Sequence, residues 1–359
     1  MSSRCASSPV PSARTSRVQR LRDALAALQE RYGPRSIRLG ADFFDLSAPR
    51  ADGADRPLTT GSLSLDLIAT GLPRGGITEY AGIDGAGKES LALAALVACQ
   101  RSGGGVLLVD ADNAGDFDAL AAAGVNLDAL VLACPPTAAE AWHILTAVSA
   151  ADALDLVVLF SLSALLGFPD SGWGAHGLPQ HLTRLVTTLR HSRTAVLLTN
   201  HPIPASWIAT QEAASGLGCP WRTAGGDAIA QAARLRIALE PAGVRMTAWG
   251  DLAAVRAVVT VVKHRGQAHA PRLPLEIGLA GPDRSAELVA LGLSTGCLRE
   301  TALGLALDDA VLGRSAARAA VALAGQPDLA DALERRIRAA WGATPRLGAR
   351  ERAESAGLR

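Results

Sequence analysis

The chain has 359 residues, 49 % of them hydrophobic and 19 % charged, which excludes a disordered polypeptide and allows a full α/β core with smaller appendages. A formal net charge of +1 excludes broad electrostatic attraction to nucleic acid, so any DNA site must be a local one. Five scattered cysteines without a C-x-x-C pair argue against a disulfide framework or a structural zinc site and fit a reducing cytoplasm.

The first twenty residues hold six Ser, four Arg and no acid, a composition shared by organellar transit peptides and by basic arms; the arm is the preferred reading. Residues 18–31 place Val18, Leu21, Leu25 and Leu28 on one face at helical spacing. A Pro/Gly/Asp-rich stretch, 48–57, reads as a linker. From Leu58 onward short apolar strands alternate with helical segments, which predicts an α/β fold, a mostly parallel sheet covered by helices. A strand over 77–81 enters a glycine loop and a helix over 90–100 leaves it; a strand over 106–109 ends at Asp110, and two more cover 154–160 and 195–199. Loops bearing glycine and tryptophan, 167–177 and 202–226, follow these last two strands, at the edge where open α/β sheets bind ligands. The apolar run 156–168 is too short to cross a bilayer, and no membrane association is expected. Beyond about residue 280 the chain turns small and helical, with helices expected over 315–324 and 328–341. The expected division is an arm with its helix and linker (1–57), a core (58–280), a small α-rich C-terminal domain (281–345) and a tail (346–359).

The glycine loop carries the clearest chemistry. Gly82, Ile83, Asp84, Gly85, Ala86, Gly87 and Lys88 spell a phosphate-binding loop, whose backbone N–H groups and following helix N-terminus cradle phosphates. The pattern next asks for Ser or Thr to hold Mg²⁺; the chain supplies Glu89, then Ser90. Of 35 basic residues only Lys88 and Lys263 are lysine, so a lysine closing the loop is a pointed choice; a compact ammonium suits a crowded phosphate position.

Around this loop the chain resembles the bacterial RecA recombinases, over roughly residues 18 to 345. SIRLG (36–40) and TTGSLSLD (59–66) are similar to the opening of the recombinase core, and GLPRGGITEYAG (71–82) to its approach to the phosphate loop. LVDADNAGD (108–116) is similar to the segment with the family's catalytic glutamate, TAGGDAIAQAARLRIAL (223–239) to the element after the second DNA loop, and VVKHR (261–265) to a lysine-bearing strand that reaches a neighbouring subunit's nucleotide. The resemblance implies a RecA-like P-loop NTPase core acting in DNA recombination, DNA repair and the SOS response to DNA damage. It implies polymerisation on single-stranded DNA as a filament or ring, ATP held between subunits, and an N-terminal helix and strand docked on the next protomer. ATP, Asp116 beside the loop as a further cofactor contact, and other repair proteins as partners follow from it too.

The active-site letters depart from that family. Glu89 stands in place of the magnesium hydroxyl; at a helix N-terminus its charge is favourable and partly occupies the anion site. In VVLFSLS (157–163) the aspartate that positions Mg²⁺ through water becomes Phe160, whose ring binds no metal-bound water and fills the ion's place. Asp112 stands where the family has its glutamate base, and Asn200 with His201 stand where it senses the γ-phosphate. Lys263 and Arg265 would act in trans across a subunit interface. Metal contacts carry much of phosphoryl-transfer catalysis, so Mg²⁺ is doubtful and hydrolysis is expected to be weak or lost, whereas nucleotide binding is a separate matter.

The candidate DNA loops are short of charge. Loop 167–177 offers Trp173 and His176, and loop 202–224 offers Trp207, Ile208, Trp221 and Arg222, followed by Gly225 and Gly226. Aromatic and aliphatic side chains stack on bases, and phosphate contacts would come from Arg184, Arg190 and Arg193 or from the arms, giving modest, weakly salt-dependent affinity. Tryptophans that merely anchor the loops are an equal alternative. Two other readings of the whole remain: a non-hydrolysing accessory scaffold of the ImuA type in translesion synthesis, and a diverged paralogue without a DNA role.

Overall fold

The computed structural model describes residues 17–33, 37–40, 56–112, 116–167, 177–202, 222–247, 249–264 and 271–343. The core runs α1 (Arg17–Tyr32), β1 (Ile37–Leu39), α2 (Leu63–Ala69), β2 (Ile77–Gly82), α3 (Lys88–Arg101), β3 (Val106–Asp110), α4 (Phe117–Ala122), β4 (Leu130–Ala133), α5 (Ala138–Ala151), β5 (Leu156–Phe160), α6 (Leu162–Gly167), α7 (Gly177–Leu189) and β6 (Ala195–Asn200). It continues through α8 (Gly226–Ala232), β7 (Ala233–Met246), β8 (Leu252–Lys263), β9 (Arg272–Gly278) and β10 (Gly281–Pro282).

These strands form one sheet in the order β1-β4-β3-β5-β6-β2-β7-β8-β9-β10. The stretch β4-β3-β5-β6-β2-β7 is parallel, and β1 at one edge and β8 to β10 at the other are antiparallel. Each central strand buries both faces, as a helix-covered parallel sheet must. Val106 and Leu108 join a cluster under α3, whereas Leu107 and Val109 join the opposite cluster under α1, α5 and α7. The same alternation splits Leu156 and Val158 from Val157 and Leu159. The expected α/β architecture is the observed one.

Residues 284–343 gather around a third cluster, which also takes in Leu63 of α2. They comprise α9 (Arg284–Ser294), a three-stranded antiparallel sheet of β11 (Arg299–Thr301), β12 (Gly304–Leu307) and β13 (Ala310–Gly313), then α10 (Ala316–Ala324) and α11 (Pro327–Ala343). The little sheet is absent from the helical expectation because its strands are only three or four residues long, too short to show a period. Its attachment explains the motif TTGSLSLD. Ser62 caps α2 and donates its hydroxyl to Glu287 Oε1 at 2.6 Å, while Leu63 N and Ser64 N donate to the same carboxylate. Asp66 accepts from the Thr59 hydroxyl and from the N–H and hydroxyl of Thr60. No helix among the described residues is long and apolar enough to cross a membrane.

Candidate nucleotide site at the end of the parallel strands

The glycine loop leaves the C-terminal end of β2, flanked by β6 and β7. Gly85 and Gly87 have φ of 75° and 85°, the left-handed region that glycine enters without cost. Gly82 is needed for another reason: a Cβ there would stand 3.0 Å from both Ala86 Cβ and Leu239 O. Because Gly87 already serves as N-cap, α3 begins at Lys88 rather than at Ser90, and Glu89 falls in its first turn. The exposed side chain of Ile83 and the exposed Asp84 form the lip of the loop.

Lys88 is completely buried, and among the described residues its ammonium pairs with the loop's own carboxylates, Glu89 Oε1 at 2.9 Å and Asp84 Oδ1 at 3.4 Å. His201 Nε2 lies 3.5 Å from the same Asp84 oxygen. Asp112 faces this group from the end of β3; burial pushes its carboxyl above the ordinary value, Asp110 and Glu89 add to the rise, and His201 and Lys88 oppose it. The expected residues Asp84, Lys88, Glu89, Asp112 and His201 therefore converge, and buried Asp110 joins them.

Phe160 ends β5 beside Asp110, its carbonyl accepting Ala111 N–H at 2.6 Å, and its ring packs on the α3-side core. The donor set fits a magnesium ion poorly: the residue after Lys88 has no hydroxyl and points its carboxylate at the ammonium, and the strand-end position is aromatic. Among the described residues no three His, Cys, Asp or Glu side chains converge as metal ligands.

Asn200 is buried and engaged inward. Its amide donates to Glu79 Oε1 at 2.7 Å and to Ala224 O at 2.8 Å, and its Oδ1 accepts His201 N–H at 2.9 Å. Glu79 pairs with Arg236 at 2.5 Å, and Arg236 also donates to the Thr223 hydroxyl. This network ties β2, β6, β7 and the stem of loop 202–224 together, with Ala224 N bonded to His201 O. Sequence reasoning missed Glu79, Arg236 and Thr223. The available signal was a carboxylate and a guanidinium interrupting strands otherwise buried on both faces.

The other expected residues fall apart from this centre. Asp116 caps α4 by accepting from Asp118 N–H. Gly225 (φ 88°) is the N-cap of α8, where a Cβ would stand 2.8 Å from Leu178, and Gly226 (φ 53°) is also left-handed. Arg222 lies 3.5 Å from Asp227. Lys263 donates to Ala230 O at 2.8 Å and Gln231 O at 3.2 Å, closing the C-terminal end of α8; burial and then Arg236 hold its ammonium below the ordinary value, against Glu79. Trp173, His176, Trp207, Ile208, Trp221 and Arg265 lie outside the described residues. Arg190 and Arg193 follow the end of α7 at the opposite, N-terminal edge of the strands, where Arg193 N–H donates to Asp152 and its carbonyl accepts from Arg74. They are on the wrong side of the sheet to serve loops at its C-terminal edge.

Comparison with known proteins agrees with this geometry. A family model described as the RecA N-terminal domain matches residues 19–274. "Protein RecA" of Kineococcus radiotolerans is 30 % identical over 346 residues, covering 93 % of this chain and 95 % of the relative. "Protein RecA" of Thermus thermophilus is 28 % identical over 335 residues, covering 90 % and 94 %, and that of Lactococcus lactis is 27 % identical over 344 residues, covering 91 % and 84 %. A match over most of both chains, on a sheet of this order with a glycine loop at the end of β2, places the chain in the RecA family.

Proposed function

We propose that the protein is a RecA-like recombination and repair protein that assembles on single-stranded DNA and whose ATP hydrolysis is weak or lost. The observation that carries the second half is the 2.9 Å contact between Lys88 Nζ and Glu89 Oε1. The group meant for the outer phosphates is neutralised from within the loop, and an incoming phosphate must displace a carboxylate before it gains the ammonium. With Phe160 in place of a carboxylate, the contacts that carry phosphoryl transfer are missing together. Nucleotide binding can persist weakly, because the backbone cradle is intact.

Assembly is supported by the arm. Helix α1 buries Leu21, Leu25 and Leu28 against this chain's own α5 side, Arg17 pairs with Asp155, Arg20 donates to Ala151 O, and β1 adds to β4. The same surfaces in trans would join one protomer to the next. Near full-length similarity to proteins named RecA favours this reading over an ImuA-type scaffold.

The test measures ATP hydrolysis with and without single-stranded DNA, wild type beside Lys88→Ala, with sedimentation of the DNA-bound protein. Turnover no higher than in Lys88→Ala, together with large assemblies on DNA, is expected. DNA-stimulated turnover that Lys88→Ala removes would overturn the loss of hydrolysis, and absence of any DNA-bound assembly would overturn the DNA role.

A further inference from the structure

The parallel strands give the core two unlike edges. All of them begin at one edge and end at the other. Residues just before a strand therefore gather at the lower edge, and residues just after it gather at the upper edge, beside the glycine loop. The upper edge is acidic. Asp84 and Glu89 stand in the loop and the helix it opens, Asp110 and Asp112 at the end of β3, and Asp116 and Asp118 at the start of α4. Asp84, Asp112, Asp116 and Asp118 are exposed. The cations described at this edge answer little of that charge: Lys88 is buried against Glu89, and Arg222 lies 3.5 Å from Asp227.

The lower edge is basic. Arg74 precedes β2, Arg190 and Arg193 precede β6, and Arg234 is the second residue of β7. Arg17 and Arg20 join them from the first turn of α1. Hydrogen bonds tie these residues into one neighbourhood. Arg17 and Arg74 both pair with Asp155, and Arg20 donates to Ala151 O and Asp152 O. Arg234 donates to Arg74 O, and Arg74 to Arg193 O. The nearby acids do not balance them: Asp155 is buried between two arginines, Asp152 accepts Arg193 N–H, and Asp128 lies two strands away before β4. The whole chain carries a formal charge of only +1, so this polarity comes from placement rather than composition.

We propose that the acidic upper edge of one copy seats on the arginine edge of a second copy, giving head-to-tail assembly that needs no bound nucleotide. This rests on the assembly reading above and adds the force that drives it. Each chain carries both complementary surfaces at opposite ends of the same strands, so a second copy is the partner that fits both. Like edges repel, which disfavours a two-fold dimer through either one; unlike edges joined in succession give an open filament or a ring. A nucleotide would bring negative charge to the upper edge only while bound. The carboxylates around the glycine loop supply it permanently.

The test is sedimentation velocity of the full chain without nucleotide or DNA, at about 50 mM and about 500 mM NaCl. Assemblies larger than a dimer are expected at the lower salt, dissociating at the higher. Arg190→Glu with Arg193→Glu, and separately Asp84→Arg with Asp118→Arg, should each weaken assembly by about tenfold or more. Mixing the two reversed chains should restore it, because each then meets an edge of opposite sign. These side chains are exposed, so circular dichroism should show unchanged folds. Should a reversed chain not fold, Arg190→Gln with Arg193→Gln must weaken assembly in the same direction. A free chain that stays monomeric at the lower salt overturns the proposal, as does assembly that appears only with ATP or that ignores both salt and charge reversal. A monomeric free chain that still sediments on single-stranded DNA leaves the DNA reading standing while this one falls; free assemblies that never sediment with DNA do the reverse.

Discussion

Lys88 Nζ and Glu89 Oε1 lie 2.9 Å apart at the first turn of α3, so the one ammonium of the glycine loop is paired with the residue that follows it. Lys88 is fully buried, and a buried ammonium needs a counter-charge. In a working phosphate loop the nucleotide supplies that charge; here the chain supplies its own, with Asp84 as a second, solvent-screened contributor at 3.4 Å.

Glu89→Thr should therefore strengthen nucleotide binding. Removing a charge-assisted competitor from the lysine and restoring a hydroxyl should lower the Kd for ATP about tenfold, equivalent to about 1.4 kcal/mol. Displacement of a fluorescent ATP analogue reads this directly. An unchanged Kd would mean that Glu89 swings away at no cost when phosphate arrives.

Hydrolysis needs the second position as well. Glu89→Thr alone should leave turnover at the level of Lys88→Ala, whereas Glu89→Thr with Phe160→Asp should raise DNA-stimulated turnover by at least about tenfold, since metal contacts act on the transition state. If the double variant stays silent while binding ATP, the fault lies in Asp112, whose carboxylate sits close to Asp110 and shares its charge.

The sequence made much of this geometry legible and hid a definite part. Gly85, Gly87, Lys88 and Glu89 sit in one short loop whose conformation their own letters impose, so local reading located them. Short continuous apolar runs, the mark of strands buried on both faces, made the central strands legible. The Glu79–Arg236–Asn200 network was not legible because its members are 79, 200 and 236 in the chain and meet only when β2, β6 and β7 align. The place of Arg190 and Arg193 was hidden for the converse reason: they follow loop 167–177 closely in sequence, but the whole length of α7 carries them away from it to the other edge of the sheet.

That network should carry stability. Glu79 is fully buried with its charge opposite Arg236, and removing one partner leaves the other uncompensated. Glu79→Leu is expected to destabilise the fold by about 3–5 kcal/mol in urea denaturation, and the double variant Glu79→Leu with Arg236→Met to recover a large part of that loss. Additive losses would show that the two residues act separately.

Glu287 sets a pH dependence for the attachment of residues 284–343 to the core. Its carboxyl is buried against the N-terminus of α2; burial raises it above the ordinary 4.5, and the bonds from Ser62, Ser64 and Leu63 oppose that rise without cancelling it. The folded chain thus holds this proton more tightly than the unfolded chain does. By linkage the contribution of Glu287 is fully present below about pH 4.5 and is lost as pH rises through the raised folded value. Asp66, within α2 itself and raised from 3.8 by burial, has the same sign. Urea midpoints for wild type and Glu287→Gln, followed from about pH 4 to pH 8, isolate the first group from the second. The stability advantage of wild type over Glu287→Gln should shrink as pH increases across that window. An advantage that grows with pH would mean that the amide donors outweigh burial and that the carboxylate, not the acid, is the form the folded protein prefers.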